Sequence, residues 1–317
     1  MRGSDSLPRF GRGPEAAPDG TAAIDALESE FREGDPDATP MRSRVETTAG
    51  TLLLMPAAED AGVGVKLVTL TDANPALGLP LIHAVYVLFD ARTQAPVLLL
   101  DGGALTAVRT AAVSGLATRW LARPDAERLV IFGAGVQARA HLEAMATVRP
   151  ISDLRVVTRT PERARALLDE AASRGITARL GDPAAVASAD IVCTCTTATE
   201  PLFDGSSLRP GTHVNAVGAY RPDTRELDTE TVRRARVVVE TRSVAWEEAG
   251  DLVVALEEGA IDRDHVVADL QELVRGAGAR LSPADVTLFE SVGLAFEDLA
   301  VARALADEPT GIDVQAP

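Results

Sequence analysis

Long hydrophobic runs and cysteines are scarce in this chain of 317 residues, and both scarcities narrow its class. Because no run of about 18 apolar residues occurs, the sequence predicts neither a transmembrane helix nor a secretory segment. We therefore expect a cytoplasmic protein with no membrane partner. Cys193 and Cys195 are the only cysteines, and their spacing on an apolar strand lacks the geometry of a normal disulfide. A Cys/His metal site is equally unsupported, so we expect no metal.

Acidic residues outnumber basic ones, 47 to 31, and the formal net charge is −16. Without a basic stripe, this charge repels a phosphate backbone and argues against nucleic acid as a partner. The 31 basic residues include a single lysine, Lys66. Because arginine fills every other basic position, Lys66 indicates a place where a compact, titratable ammonium does what a planar guanidinium cannot. Chance survival of one lysine is the alternative.

Hydrophobic periodicity divides the chain into two domains, as its length also predicts. Residues 1–20 lack periodicity and are expected to form a mobile N-terminus. Residues 21–118 combine helical segments with short β-rich runs separated by turns, which is typical of an antiparallel meander. Residues 119–295 alternate strands and helices, which predicts a Rossmann-type, doubly wound parallel sheet. The expected class is therefore α/β with a second, α+β domain, completed by residues 296–317.

The C-terminal segment SPADVTLFESVGLAFEDLAVARALA has a helical period. This period places Leu288, Val292 and Phe296 on one face of a helix. Because Rossmann sheets usually end near a sixth strand, we expect this helix to cross back and pack on the N-terminal domain.

A glycine-rich turn, FGAGVQARAH at 132–141, supplies the most specific motif. Gly133, Gly135 and Ala138 form G-x-G-x-x-A directly after an apolar strand and before a helix. Gly133 permits the tight turn, and Gly135 allows a pyrophosphate to approach the backbone at the helix N-terminus. This context favours a dinucleotide site over a plain strand-to-helix turn. The candidate cofactor-binding residues of the turn are Gly133, Gly135, Val136 and Gln137.

The end of the second predicted strand indicates which dinucleotide binds. Thr158, Arg159 and Thr160 stand where an NAD-selective site carries an acidic residue for the ribose hydroxyls. Arg159 can instead meet a 2′-phosphate, which favours NADPH over NADH, although an exposed loop arginine also fits the pattern. Later strands end in hydroxyl or small residues, at the edge where open α/β sheets bind ligands. The further cofactor candidates are Arg159, Thr160, Thr196, Val217 and Gly218, with Ser291 of the C-terminal segment.

Three cations stand out in the first domain: Arg42, Lys66 and Arg109. Lys66 lies in an apolar strand and Arg109 in a helix of small residues, so each buried cation needs an anion. A protein carboxylate and a bound substrate both satisfy this need, and the spacing leaves the choice open.

Six ordered blocks carry a resemblance that spans nearly the whole chain from residue 40 onward. The blocks are MP at 55–56, GVKLVT at 64–69, DGGALTAVRTAA at 101–112, FGAGVQARAH at 132–141, NAVGAYRPDTRELD at 215–228 and TLFESVGLAFEDLA at 287–300. Together they resemble the ornithine cyclodeaminase and mu-crystallin family. The resemblance implies that Arg42, or Arg44 in its place, acts with Lys66 and Arg109 to hold a substrate carboxylate facing a bound nicotinamide. It also implies a homodimer formed through the N-terminal sheet, so residues 21–118 with 296–317 would bind substrate and dimerise.

One position departs from the cyclodeaminases of that family. The resemblance implies an aspartate in the loop after the fifth strand, where it helps to deprotonate the amine, but this sequence has Tyr220. A phenol with a reference pKa of about 10 is a poor base near neutrality, yet it can donate a hydrogen bond or a proton. GAYRPDTREL is closer to the ketimine reductases of the family. Asp223 could replace the aspartate, and packing in the loop is the alternative for Tyr220.

The leading hypothesis is an NADPH-dependent reductase of cyclic α-imino acids, such as 1-pyrroline-2-carboxylate or 1-piperideine-2-carboxylate. Hydride transfer to the imine carbon would give the cyclic amino acid, with Lys66 and Tyr220 as the catalytic candidates. Ornithine or lysine cyclodeamination, alanine dehydrogenation and reductive condensation of an amino acid with a keto acid are alternatives on the same scaffold. A crystallin-like protein that binds NADPH or another ligand without turnover is the alternative from another class.

Overall fold

A computed structural model describes residues 10–11, 20–60 and 62–307 of the chain, so the expected mobile terminus lies almost wholly outside the described residues. The chain divides into two compact units. None of the helices in the described ranges has both the length and the hydropathy that a membrane crossing needs.

The unit boundaries differ from those expected at 118/119 and 295/296. Of the described residues, the first unit contains 10–11, 20–26, 38–60, 62–109 and 294–307, and the second contains 27–37 and 110–293. Two helices, α1 (Gly20–Glu33) and α2 (Gly102–Leu121), each pass from one unit to the other.

The first unit is built on a six-stranded sheet in the order β1-β6-β5-β4-β3-β2. Strands β2 to β6 form the antiparallel meander expected from the sequence, and β1 pairs in parallel with β6. Helix α9 (Ala295–Asp307) contacts β3, β4 and β5. The strands are β1 (Phe10–Gly11), β2 (Ser43–Glu46), β3 (Thr51–Glu59), β4 (Gly62–Leu70), β5 (Ile82–Phe89) and β6 (Pro96–Asp101).

Alternation along β3, β4 and β5 gives this sheet one buried face. Lys66 pairs with Met55 on β3 and with Tyr86 on β5, and all three side chains are buried. Because side chains alternate along a strand, Lys66 points to the buried face as the apolar residues beside it do. The only lysine of the chain is therefore a core residue.

The second unit contains the predicted doubly wound parallel sheet, with eight strands in the order β13-β12-β14-β11-β10-β7-β8-β9. The predicted α/β class with a second domain is confirmed. The strands are β7 (Arg128–Phe132), β8 (Asp153–Val157), β9 (Thr177–Leu180), β10 (Ile191–Thr194), β11 (His213–Ala216), β12 (Arg236–Val239), β13 (Val266–Asp269) and β14 (Thr287–Glu290). The remaining helices are α3 (Val136–Val148), α4 (Pro161–Ser173), α5 (Thr229–Arg234), α6 (Arg242–Glu248), α7 (Gly250–Glu257) and α8 (Leu270–Val274).

The expected helix over the C-terminal segment was partly wrong. Its first part is β14, which inserts between β11 and β12, and helix α9 begins only at Ala295. All four residues of β14 are buried, and periodicity cannot distinguish so short an apolar run from a helical turn. Gly293, with φ +80°, separates the strand from the helix.

The parallel register brings the carboxyl ends of the strands into one row. Phe132 of β7 pairs with Val157 and with Thr194 of β10; Thr194 pairs with Ala216, and Ala216 with Glu290 of β14. The residues that follow these ends therefore share one edge of the sheet, which is where open α/β sheets bind ligands.

The two glycines of the turn after β7 predict a matched pair of variants. Gly133 has φ +107°, and a Cβ there would lie 2.4 Å from the carbonyl oxygen of Cys195. We expect Gly133→Ala to lower the melting temperature by about 5 °C or more, because both the φ angle and the contact are unfavourable. A Cβ on Gly135 meets nothing within 4 Å. Gly135→Ala should therefore keep the wild-type melting temperature but weaken NADPH binding in a fluorescence titration; equal melting temperatures for the two variants would contradict this.

Candidate functional site

The first unit contains a buried cluster of opposite charges, formed by Lys66, Arg109, Glu297 and Asp298. Lys66 Nζ lies 2.9 Å from Asp298 Oδ1 and 2.8 Å from Oδ2. Arg109 donates to Glu297 Oε2 at 2.9 Å, and its Nε lies 3.3 Å from Asp298 Oδ1. Lys66, Glu297 and Asp298 are at most 1% exposed and Arg109 is 6% exposed. Protein carboxylates thus partner both cations, and Asp298 connects them.

Burial lowers the pKa of Lys66 from its usual 10.5 to about 8, because the ammonium has lost its hydration. The carboxylate of Asp298 raises this pKa, whereas the positive charges of Arg109 and Arg42 lower it further. An ammonium group that titrates this close to neutrality is able to donate a proton to a bound substrate.

Arg42 lies near enough to Lys66 for its charge to lower the pKa of that ammonium. It is half-buried and directly precedes β2. Arg44, the alternative in the sequence, has a side chain that is 50% exposed and lies 4.0 Å from Glu46. These positions favour Arg42 as the third cation beside Lys66 and Arg109.

The glycine-rich turn has the features that a dinucleotide needs. Gly133 follows the end of β7, and Gly135 is the residue that precedes helix α3. No side chain of the described chain caps this end of α3, so its first amides face the space beside Gly135, where an added Cβ would meet nothing. Val136 is 69% exposed, and Gln137 is half-buried. The residues present therefore fit a pyrophosphate at this helix N-terminus.

Arg159 lies in the loop after β8, and its side chain is exposed. Thr160 precedes α4, and its amide donates to Thr158 Oγ1 at 3.2 Å. The loop therefore presents a cation and hydroxyl groups at the sheet edge shared with Gly133. This arrangement suits a ribose that carries a phosphate.

The remaining cofactor candidates lie along the same edge, and two buried carboxylates accept hydrogen bonds from three of them. Thr196 follows β10 and donates to Glu226 from both its amide and its hydroxyl. Val217 and Gly218 follow β11, and the Gly218 amide also donates to Glu226. Ser291, just after β14, is buried, and its hydroxyl donates to Glu240 at 2.6 Å. Contact of Ser291 with a cofactor would therefore use atoms other than that hydroxyl proton.

Tyr220 lies two residues after Gly218 and is half-buried. The nearby acid, Asp223, has a side chain that is 63% exposed and lies 2.7 Å from the guanidinium of Arg221. An exposed carboxylate that forms an ion pair is poorly suited to act as a general base. These positions count against Asp223 as a replacement for the missing aspartate.

Sequence reasoning missed the acidic residues of both sites. Glu297 and Asp298 lie inside the apolar stretch VGLAFEDLAVA, and two adjacent carboxylates in such a stretch are the signal that could have identified them. Buried acids need partners as much as buried cations do. Glu226 and Glu240 gave a weaker signal, because the sequence around them is more polar.

Known proteins resemble this chain in both sequence and structure. The model of the ornithine cyclodeaminase/mu-crystallin family matches residues 19–311. A Bacillus cereus protein named Delta(1)-pyrroline-2-carboxylate reductase is 37% identical over 284 residues, covering 85% of this chain and 86% of its own.

Two solved structures resemble the whole chain. The Thermococcus litoralis Delta(1)-pyrroline-2-carboxylate reductase in complex with NADH and L-proline is 37% identical, with a TM-score of 0.85 over 90% of this chain and 92% of that one. An archaeal alanine dehydrogenase dimer with bound NAD is 30% identical, with a TM-score of 0.88 over 95% and 94%. Because the family model matches nearly the full length of the chain, the chain belongs to the ornithine cyclodeaminase/mu-crystallin family.

Proposed function

We propose that this protein is an NADPH-dependent reductase of a cyclic α-imino acid, 1-pyrroline-2-carboxylate or 1-piperideine-2-carboxylate, and forms the proline or pipecolate type of amino acid. The observation that carries the proposal is the pair of buried cations, Lys66 and Arg109, with the half-buried Arg42 near Lys66, in a chain with a dinucleotide turn. Relatives support the reaction: the Bacillus cereus protein carries the name of this activity, and the Thermococcus litoralis structure contains NADH and L-proline.

The charge of the cluster suits one carboxylate. Arg42, Lys66 and Arg109 carry three formal positive charges, and Glu297 and Asp298 carry two negative ones. A substrate carboxylate would make the set neutral, and guanidinium groups bind carboxylates through charge-assisted hydrogen bonds. Glu297 and Asp298 would hold Arg109 and Lys66 in place before the substrate arrives, which reduces the ordering cost of binding.

The reduced nicotinamide of the bound dinucleotide would supply the hydride that this reaction requires. Gly133, Gly135, Val136 and Gln137 would bind the pyrophosphate region, and Arg159 with Thr160 would bind the 2′-phosphate. The edge residues Thr196, Val217, Gly218 and Ser291 would hold the remainder.

Proton delivery to the imine nitrogen makes the imine carbon electrophilic. Lys66 is the candidate donor because its pKa lies near 8, where both protonation states are accessible near neutrality. Tyr220 or water is the alternative donor. Tyr220 at the position of the cyclodeaminase aspartate, together with the exposed ion pair of Asp223, favours imine reduction over cyclodeamination.

We further propose a homodimer in the cytoplasm. The face of the first-unit sheet opposite Lys66 presents the half-buried apolar residues Leu52, Leu54, Val65 and Leu67. Apolar sheet faces of this kind commonly form subunit interfaces. The archaeal alanine dehydrogenase, which is similar over nearly the whole chain, is a dimer.

Steady-state assay of the purified protein tests the activity. We expect NADPH oxidation, followed by absorbance, with at least one of the two imino acids, and conversion to the cyclic amino acid. Lys66→Met should abolish turnover while NADPH binding persists, because the substrate site loses its ammonium. Absence of oxidation with either ring size would contradict the proposal. Ammonia release from ornithine, NAD reduction by alanine, or tight NADPH binding without turnover would identify the corresponding alternative.

The pH profile tests Lys66 as the proton donor. Because the ammonium form declines as pH rises through about 8, we expect kcat/KM for the imine to fall over the same interval. Asp298 raises the Lys66 pKa, so Asp298→Asn should move this fall to lower pH. Glu297→Gln is the matched control, because Glu297 pairs with Arg109, and its midpoint should stay at the wild-type value. Titration of the imine itself is common to all variants, so identical midpoints would exclude Lys66 as the donor.

Dinucleotide preference tests Arg159. We expect Arg159→Ala to raise the KM for NADPH about 10-fold or more and to leave the KM for NADH unchanged, because only NADPH carries the 2′-phosphate. Arg165→Ala is the control, since Arg165 lies in α4, the helix that follows the Arg159 loop, and its side chain is 88% exposed. An equal change for both dinucleotides would show that Arg159 does not recognise the phosphate.

A further inference from the structure

The carboxylate of Glu226 lies fully buried at the carboxyl edge of the parallel sheet. It accepts four hydrogen bonds: from the hydroxyl of Thr194 at 2.6 Å, from the amide and hydroxyl of Thr196 at 2.8 and 2.6 Å, and from the Gly218 amide at 2.9 Å. Burial raises the pKa of Glu226, and these hydrogen bonds oppose that effect because they replace part of the lost water. The residues around Glu226 are therefore arranged to donate hydrogen bonds to its carboxylate.

The donors to Glu226 come from two different connections. Thr194 and Thr196 belong to the end of β10 and the loop after it, whereas Gly218 lies in the loop after β11. A Cβ on Gly218 would lie 2.4 Å from the Thr196 carbonyl oxygen and 2.5 Å from Glu226 Oε2. The two loops are therefore in direct contact at this point, and one carboxylate fixes their separation.

The backbone of Glu226 is fixed as well. The amides of Glu226 and Leu227 both donate to Asp251 Oδ1 at 2.8 Å. Asp251 thus holds the backbone of Glu226, and the Glu226 side chain holds the two loops. Its oxygens are fully engaged with Thr194, Thr196 and Gly218, so it acts on any ligand only through those residues.

A second carboxylate repeats the arrangement at the next loop along the edge. Glu240 follows β12 and accepts from the Ser291 hydroxyl at 2.6 Å and from the Val292 and Gly293 amides at 3.0 Å and 2.9 Å. All three donors lie in the connection after β14. Buried acids at this edge therefore bind the loops that carry the predicted cofactor residues.

We propose that Glu226 is a positioning residue of the dinucleotide site, which holds the loops of Thr196 and Gly218 at the separation the cofactor requires. This inference rests on the proposed function, because it needs a dinucleotide at that edge. Replacing the acceptor with a neutral amide places an N–H group against donors that all require an acceptor. The loops then lose their fixed spacing, and the cofactor must order them on binding.

The experiment measures the Kd of NADPH and of NADH by fluorescence titration, together with the melting temperature and the KM for the imine. We expect Glu226→Gln to raise the Kd for both dinucleotides about 10-fold or more. The KM for the imine at saturating NADPH should stay within about twofold, because the cation cluster is unchanged. Thr194→Val removes one of the four donors from a fully buried position and should raise Kd about two- to tenfold.

Asp190→Asn is the matched control. Asp190 is also buried and accepts from Arg123 and Arg128, but it directly precedes β10, so it lies at the opposite edge of the same sheet. We expect this variant to have a lower melting temperature than the wild type but the same Kd values for NADPH and NADH. A purely structural role for Glu226 would give the same pattern in Glu226→Gln.

The outcomes separate the two proposals. If the dinucleotide Kd values of Glu226→Gln and Thr194→Val equal those of Asp190→Asn, the positioning role is overturned. The proposed function would remain intact. If Glu226→Gln does not fold, Thr194→Val alone decides the question. Wild-type protein that binds neither NADPH nor NADH would overturn both proposals, whereas binding without imine reduction would overturn only the proposed reaction.

Discussion

A charge removed from water must be neutralised where it lies, and this requirement organises both units of the protein. Lys66 and Arg109 are buried in the first unit, and Asp298 and Glu297 compensate them at hydrogen-bond distance. Removing one member of a buried pair costs about 3–5 kcal/mol, because the other charge remains without a partner. The cluster is therefore kept as a set, and its members can be positioned for a substrate before one binds.

The second unit meets the same requirement in a different way. Two of its buried acids, Glu226 and Glu240, accept hydrogen bonds from hydroxyls and backbone amides rather than from cations. Because these donors belong to the loops after β10, β11 and β14, the compensation also fixes the loops. Glu290 lies among these acids, and burial together with the charges of Asp251, Glu226 and Glu240 raises its pKa well above the usual range. The neutral form of Glu290 is therefore favoured. The loop hydroxyls and amides donate to Glu226 and Glu240 instead.

The two compensation schemes leave different chemistry available. In the first unit, incomplete stabilisation of the ammonium lowers the pKa of Lys66 to about 8, which gives the single lysine a proton that can be transferred near neutrality. In the second unit, Glu226 and Glu240 accept hydrogen bonds from residues of the loops after β10, β11 and β14. The free-energy cost of burying charge thus lowers the pKa of Lys66 in the first unit and accounts for the hydrogen bonds that hold the loops in the second.

Features that depend on neighbouring residues could be predicted from the sequence. The glycine turn, the strand–helix alternation, the missing acid after β8 and the buried positions of Lys66 and Arg109 were all readable, because local geometry and periodicity reflect short-range constraints. The fold, by contrast, selects which carboxylates compensate the cations, since Lys66 and Asp298 are 232 residues apart in the chain. It also decided that Thr287–Glu290 is a strand, because its pairing with β11 and β12 outweighs a helical period. Pairing between distant segments is selected by the packing of the whole domain, which no local pattern records.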